Sequence, residues 1–184
     1  MLDFSKNYFE LFGLPVAYVV DRVRLDERYR ELQRVVHPDR YAGGSEQERR
    51  LSMQGSIRIN EAYETLKDPV ERARYLLELN GIEMDVTQET TRDAAFLMEQ
   101  LELREALESA RDKEDPYSAI ASLIEEINRR TSSMVGQMAI QFETPTPEQL
   151  EAAREVLRKM QFLKKFRFDA EQLEAELDET LQAR

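Results

Sequence analysis

At 184 residues, 41% of them hydrophobic and 34% charged, the chain can build one sizeable domain or two small ones around a buried core, which argues against disorder. The absence of cysteine excludes disulfides, thiolate nucleophiles and cysteine-ligated metals, and a single histidine leaves no cluster for zinc or non-haem iron, so neither metal nor cofactor is expected. A formal net charge of −11 argues against a nucleic-acid binder, whose surface must be basic to displace phosphate counterions.

Without tryptophan, with only six Gly and six Pro, and with abundant Leu, Glu, Ala, Arg and Gln, intrinsic preference lies with helix, so the expected fold class is all-α. Met1 to Phe4 show no basic start followed by an apolar run, and no stretch approaches membrane-spanning length. A cytoplasmic protein without signal peptide or membrane anchor is therefore expected.

In chain order, the pattern predicts a short helix over about Asn7 to Phe12 and a longer one over about Asp26 to Val36. The second must stop at His37, because proline disfavours helical geometry in the residue before it and has no amide proton to donate. A polar loop then runs to Gly43 and Gly44, and Ser45 with Glu48 spells a reciprocal capping box for a long helix from Glu46 to Lys67. Asp68 and Pro69 break that run. A further helix, Val70 to Leu79, should end at Asn80 and Gly81, residues that tolerate left-handed backbone, and residues 82–90 read as a linker.

Three long helical patterns follow: Thr91 to about Arg111, Pro116 to about Phe142, and Pro147 to about Gln182. Asp115 precedes a proline suited to the first helical position, and Thr146 with Gln149 repeats the capping-box spacing. Ile120, Ile124, Ile127, Thr131, Met134 and Met138 mark one face of the middle helix, and Leu150, Ala153, Leu157 and Met160 one face of the last. Short turns would fold these helices into an antiparallel three-helix bundle. Charge divides along the same line: residues 1–81 carry a net −1 and residues 82–184 a net −10, which suggests two parts with different tasks.

His37, Pro38 and Asp39 form the most distinctive tripeptide. A histidine beside a carboxylate can serve as a general base, but no nucleophile, phosphate cradle or second histidine accompanies this pair, and a loop tip excludes water poorly. Taken alone, the tripeptide fits a stiffened solvated loop as well as it fits a contact site. Around it lie Arg22, Arg24, Arg28, Arg30, Arg34 and Arg40 against Asp26, Glu27, Glu31 and Asp39, a local excess of positive charge that could steer an acidic partner or simply solvate a helix face.

On the helix expected from Thr91, the helical step places Phe96, Gln100, Leu103, Leu107 and Ala110 on one stripe suited to the core. Leu97, Met98 and Leu101 fall nearly opposite, with Glu105 and Glu108 beside them and Glu102 at the flank. An apolar cluster rimmed by carboxylates suits protein docking, a broader core, an interface with the N-terminal half of the chain, or a weak homodimer, and pattern alone leaves these open.

Tyr29-Arg30-Glu31-Leu32 followed by His37-Pro38-Asp39-Arg40, Ile59-Asn60-Glu61-Ala62-Tyr63 and Glu71-Arg72-Ala73-Arg74-Tyr75 closely resembles a J-domain. Asp93 to Glu105 and Arg158 to Leu163 are similar to the carboxy-terminal bundle of the HscB family, the J-type co-chaperones of bacterial iron-sulfur cluster assembly. The resemblance implies a J-domain over 1–81 and a client-binding bundle over 91–184. It implies that His37, Pro38, Asp39, Arg30, Arg34 and Arg40 meet a DnaK-like ATPase, HscA, whose ATP hydrolysis they stimulate. It further implies that Leu97, Met98, Leu101, Glu102, Glu105 and Phe162 hold the cluster scaffold IscU, while the chain itself has no catalytic residue and carries no cluster. Val36 stands where tyrosine usually precedes the tripeptide and Glu31 lies in a stretch that is normally more basic, which implies weaker affinity for a generic DnaK. With no glycine-phenylalanine segment and no cysteine-rich region, a dedicated client is favoured. A J-type co-chaperone with another client, and a small acid-base enzyme using His37, are the alternatives.

Overall fold

A computed structural model describes residues 3, 5–41, 43–84 and 93–182. Among the described residues there are seven α-helices, one 3-10 turn and no strand. The helices are α1 Tyr8–Phe12, α2 Arg22–Val36, α3 Glu46–Lys67, α4 Pro69–Leu79, α5 Ala94–Ala110, α6 Pro116–Gln141 and α7 Pro147–Gln182. They fall into two compact units, Met1–Glu83 and Met84–Arg184. Residues 85–90 of the expected linker, and the expected helix start at Thr91, lie outside the described residues. No described helix is long and apolar enough to cross a membrane.

In the first unit α2 and α3 pair antiparallel. Arg22 at the start of α2 donates to the Lys67 carbonyl at 2.7 Å, Tyr29 donates to Asn60 at 2.9 Å, and Ser52 near the start of α3 donates to the Val36 carbonyl at 2.5 Å. Phe9, Phe12, Leu25, Ile59, Leu66 and Leu77, drawn from all four helices, are fully buried and form the core. Tyr8 of α1 stacks on Tyr75 of α4 with centroids 4.4 Å apart. Arg72 is buried against the Tyr18 ring at 4.9 Å and donates to the Leu66 carbonyl, and burial pushes the Tyr18 phenol up to about 12.

Local signals account for most helix ends. Asn7 with Glu10, and Ser45 with Glu48, each form both halves of a capping box. The left-handed residue after α4 is Gly81 at φ 78°, whereas Asn80 keeps φ −93°. Two expectations need correction. Helix α2 begins at Arg22 and not at Asp26, because Asp21 caps it by accepting the Arg24 amide at 3.1 Å. Its first turn presents Val23 to solvent, so no apolar period announced it. The polar loop after His37 also contains a 3-10 turn, Pro38–Tyr41.

In the second unit, α6 runs antiparallel to both its neighbours. Tyr117 at its start bonds Asp178 late in α7, and Arg130 further along pairs with Glu99 early in α5. Leu103, Ile127, Leu163 and Phe166 make one buried cluster and Ala110, Ile120, Ala170 and Leu173 another, so all three helices contribute to each layer. The expected α7 face, Leu150, Ala153, Leu157 and Met160, is wholly buried.

The C-terminal carbonyls of α2 depend on side chains from beyond the helix, and Ser52, 5% exposed, supplies the buried donor. Ser52→Ala should leave the Val36 carbonyl unpaired and lower unfolding stability by about 1–2 kcal/mol, measured by urea denaturation, without loss of helix content.

Candidate functional site

The tip between α2 and α3 is built by closing the end of α2. Arg40 donates to the Arg34 carbonyl at 3.2 Å, Tyr41 to the Val35 carbonyl at 3.3 Å, and the Arg40 amide to the His37 carbonyl at 3.0 Å. His37 adopts φ −56° and ψ 130°, the extended geometry that the following proline favours. The Asp39 amide donates to His37 Nδ1 at 3.3 Å, and the two side chains stand 3.6 Å apart. Both side chains face water, at 56% and 90% exposure, so nothing there shelters a proton-transfer step from solvent.

The six arginines separate into two sets. Arg22 caps the end of α3, while Arg24 donates to Gly13 and Arg28 to Phe12, at 3.2 and 3.1 Å, closing the end of α1. These three secure helix C-termini, where a cation also answers the helix dipole. Arg40 is exposed but tied to the α2 end, so Arg30 and Arg34 are the exposed cations near His37 whose guanidinium groups have no bond among the described residues. Arg22, Arg24 and Arg28 thus stand at helix ends, and Arg30, Arg34 and Arg40 stand nearest the tip.

In the second unit α5 buries Phe96, Leu103 and Ala110 and leaves Leu97, Met98 and Leu101 42%, 58% and 51% exposed. Glu102 and Glu105 are also exposed, Glu105 on the helical step between Leu101 and Met98 and Glu102 at the flank beyond Met98. Phe162 has a different setting from the trio. It packs half-buried against the Leu103, Ile127, Leu163 and Phe166 cluster, edge-on to Phe96 at 5.7 Å and stacked on Phe166 at 5.8 Å. With Arg104, Leu107, Glu108, Lys165, Phe166 and Asp169 it lines a groove of about 290 Å³. Asp93 fixes the start of α5 by accepting the Ala95 and Phe96 amides at 3.0 and 3.2 Å, and by pairing with Lys159 of α7.

Residues 7–75 match the DnaJ domain family, and residues 92–171 match the family described as the HSCB C-terminal oligomerisation domain. A curated relative from Shewanella woodyi, named co-chaperone protein HscB homolog, is 39% identical over 173 residues, covering 94% of this chain and 99% of that one. The chain belongs to the HscB family. Among solved structures, chaperone HscB from Vibrio cholerae is 40% identical with a TM-score of 0.82, covering 94% of this chain and 99% of that one. The human co-chaperone HscB is 29% identical with a TM-score of 0.82, covering 94% and 84%.

HscB-family membership makes the chain a J-domain co-chaperone, the role its relatives are named for. The sequence pattern missed Lys159 and Arg104, which join α5 to α7 across residues far apart in the chain.

The hydrogen bond from Lys159, then that from the Phe96 amide, hold the Asp93 carboxyl below the ordinary carboxylate range. Its contribution to stability is thus complete above the unfolded carboxylate pKa and is lost as pH falls through the lowered folded value. Asp93→Asn should unfold more easily than the native chain at neutral pH. That gap should close on acidification below pH of about 4, measured by urea midpoints across pH.

Proposed function

We propose that this chain brings an iron-sulfur cluster scaffold of the IscU type to a DnaK-like ATPase of the HscA type in the cytoplasm, and stimulates ATP hydrolysis by that ATPase. The observation that carries this reading is the exposed stripe of Leu97, Met98 and Leu101 on a helix whose other face is committed to its own core. A monomer gains nothing by leaving three large apolar side chains in water, whereas a docking partner gains their burial. Glu102 and Glu105 would form the polar rim, and Phe162 would back the stripe from the groove.

The tip carrying His37, Pro38 and Asp39, with Arg30, Arg34 and Arg40 behind it, would engage the ATPase. Arg30 and Arg34 would steer the encounter with an acidic surface, and the tripeptide would bind the hydrolysis-competent conformation more tightly than the resting one. With the scaffold on one unit and the ATPase on the other, client and chaperone meet at raised effective concentration, and the chain itself makes and breaks no bond. Membership of the HscB family supports both halves of this reading.

Asp39→Asn should abolish stimulation of HscA turnover in a phosphate-release assay while leaving the circular dichroism spectrum unchanged. ATP hydrolysis by this chain alone would overturn the reading. Leu97→Ala, Met98→Ala and Leu101→Ala should each weaken IscU binding by about 1–4 kcal/mol in titration calorimetry, with melting nearly unchanged. Melting losses that match the binding losses would place these residues in the core instead.

A further inference from the structure

Methionine is the side chain of this protein most open to two-electron oxidation. The chain has seven Met, no Cys and no Trp, so a peroxide at neutral pH meets no thiol and no indole first. Packing sorts the methionines. Met138 and Met160 are fully buried and Met134 packs half-buried against the core of the second unit, whereas Met53 of α3 and Met98 of α5 are 65% and 58% exposed.

The two exposed sulfurs stand in different chemical surroundings. Three and four residues either side of Met53 are Arg49, Arg50, Ser56 and Ile57, which include guanidinium and hydroxyl donors. Around Met98 the same positions hold Ala94, Ala95, Leu101 and Glu102, whose side chains offer no donor at neutral pH. Arg104, the one basic residue of α5, lies about 120° round the helix from Met98. An oxygen added to the Met98 sulfur therefore has no partner on its own helix and must be held by water. Docking the stripe would strip that water and bury an unpaired dipole among apolar groups.

We propose that Met98 is a reversible oxidation site that switches the docking surface: a peroxide converts its thioether to the sulfoxide, which releases the scaffold protein, and a dithiol-dependent reductase restores it. The proposal rests on the docking assignment above and adds its regulation. In the forward step a sulfur lone pair attacks one peroxide oxygen, the S–O bond forms and the O–O bond breaks. The displaced hydroxide takes the proton of the transferred oxygen and leaves as water, so sulfur loses two electrons and the peroxide gains them. In the return step two thiols supply two electrons and two protons, giving thioether, water and a disulfide. Because the chain has no cysteine, that dithiol belongs to the reductase.

The test oxidises the full chain alone with hydrogen peroxide, removes the peroxide by desalting, and then titrates with the IscU scaffold by calorimetry. Peptide mass spectrometry follows each methionine, and melting is recorded at each dose. Met53 and Met98 should gain oxygen before Met138 and Met160 do. At a dose that modifies only the exposed pair, Kd should rise by about tenfold or more with melting nearly unchanged, and methionine sulfoxide reductase with dithiothreitol should reverse the rise. Each variant is compared with itself across oxidation. Met53→Leu should lose affinity as the native chain does, whereas Met98→Leu should stay within about twofold of its own starting Kd. The proposal is overturned by an equal loss in Met98→Leu, by a loss that tracks melting, by binding that the reductase does not restore, or by a Met98 that resists peroxide as long as Met138. Binding of the Met98-oxidised chain within about twofold of native overturns it as well, and Leu101→Ala then shows what has failed. If Leu101→Ala weakens binding, the oxidation switch fails and the docking assignment stands; if Leu101→Ala is also neutral, the docking assignment fails with it.

Discussion

The last carbonyls of a helix have no donors within it, and in the first unit the fold is organised around supplying them from elsewhere. Gly13 folds back onto α1 in left-handed geometry, and Arg24 and Arg28 reach the carbonyls of Gly13 and Phe12 from α2. The end of α3 takes Arg22 from one side and Arg72 from the other. The end of α2 is the most heavily served, by Arg40, Tyr41 and Ser52 together. Because Pro38 forbids continuation of α2, this is where the chain must turn, and the three donors give the turn a definite shape. The exposure of His37 and Asp39 follows from that shape: the loop spends its bonding capacity on the helix behind it and leaves its tip to solvent.

The second unit faces a different constraint. Helix α5 is short beside α7 and closes the bundle with one narrow face, Phe96, Leu103 and Ala110. Leu107 is partly covered, but Leu97, Met98 and Leu101 stay exposed, and each forgoes part of the roughly 1.5–3 kcal/mol that full burial of such a side chain provides. The helix beneath the exposed face is tied to both its neighbours. Asp93 pins its first turn to α7 through Lys159, and Arg130 of α6 pairs with Glu99. A rigid helix presenting apolar side chains offers a partner their burial without an ordering cost of its own.

Phe162 links the packed side of this surface to the open side. Its ring is gripped between Phe96 and Phe166 and carries Arg104 on the outward side, so core packing and surface charge meet at one aromatic side chain. Truncating it removes core contacts as well as any contact with a partner, which sets it apart from Leu97, Met98 and Leu101.

Much of this protein could be read from its residues in order. The all-helical class, the capping box at Ser45, the stop at His37, the buried stripes of α5 and α7, and the stranded Leu97, Met98 and Leu101 all arise from interactions within one or two helical turns, where spacing alone decides which side chains share a face. The start of α2 escaped because its first turn offers solvent-facing residues and only an aspartate cap. The destinations of the arginines escaped for a deeper reason. Long flexible side chains with the same local surroundings were divided by the tertiary fold into helix caps, ion pairs and contacts with an aromatic ring, as at Arg104, according to which group packing brought within reach. Periodicity determines which way a residue points; only the packed structure decides what it meets there, because those partners lie tens of residues away in the chain.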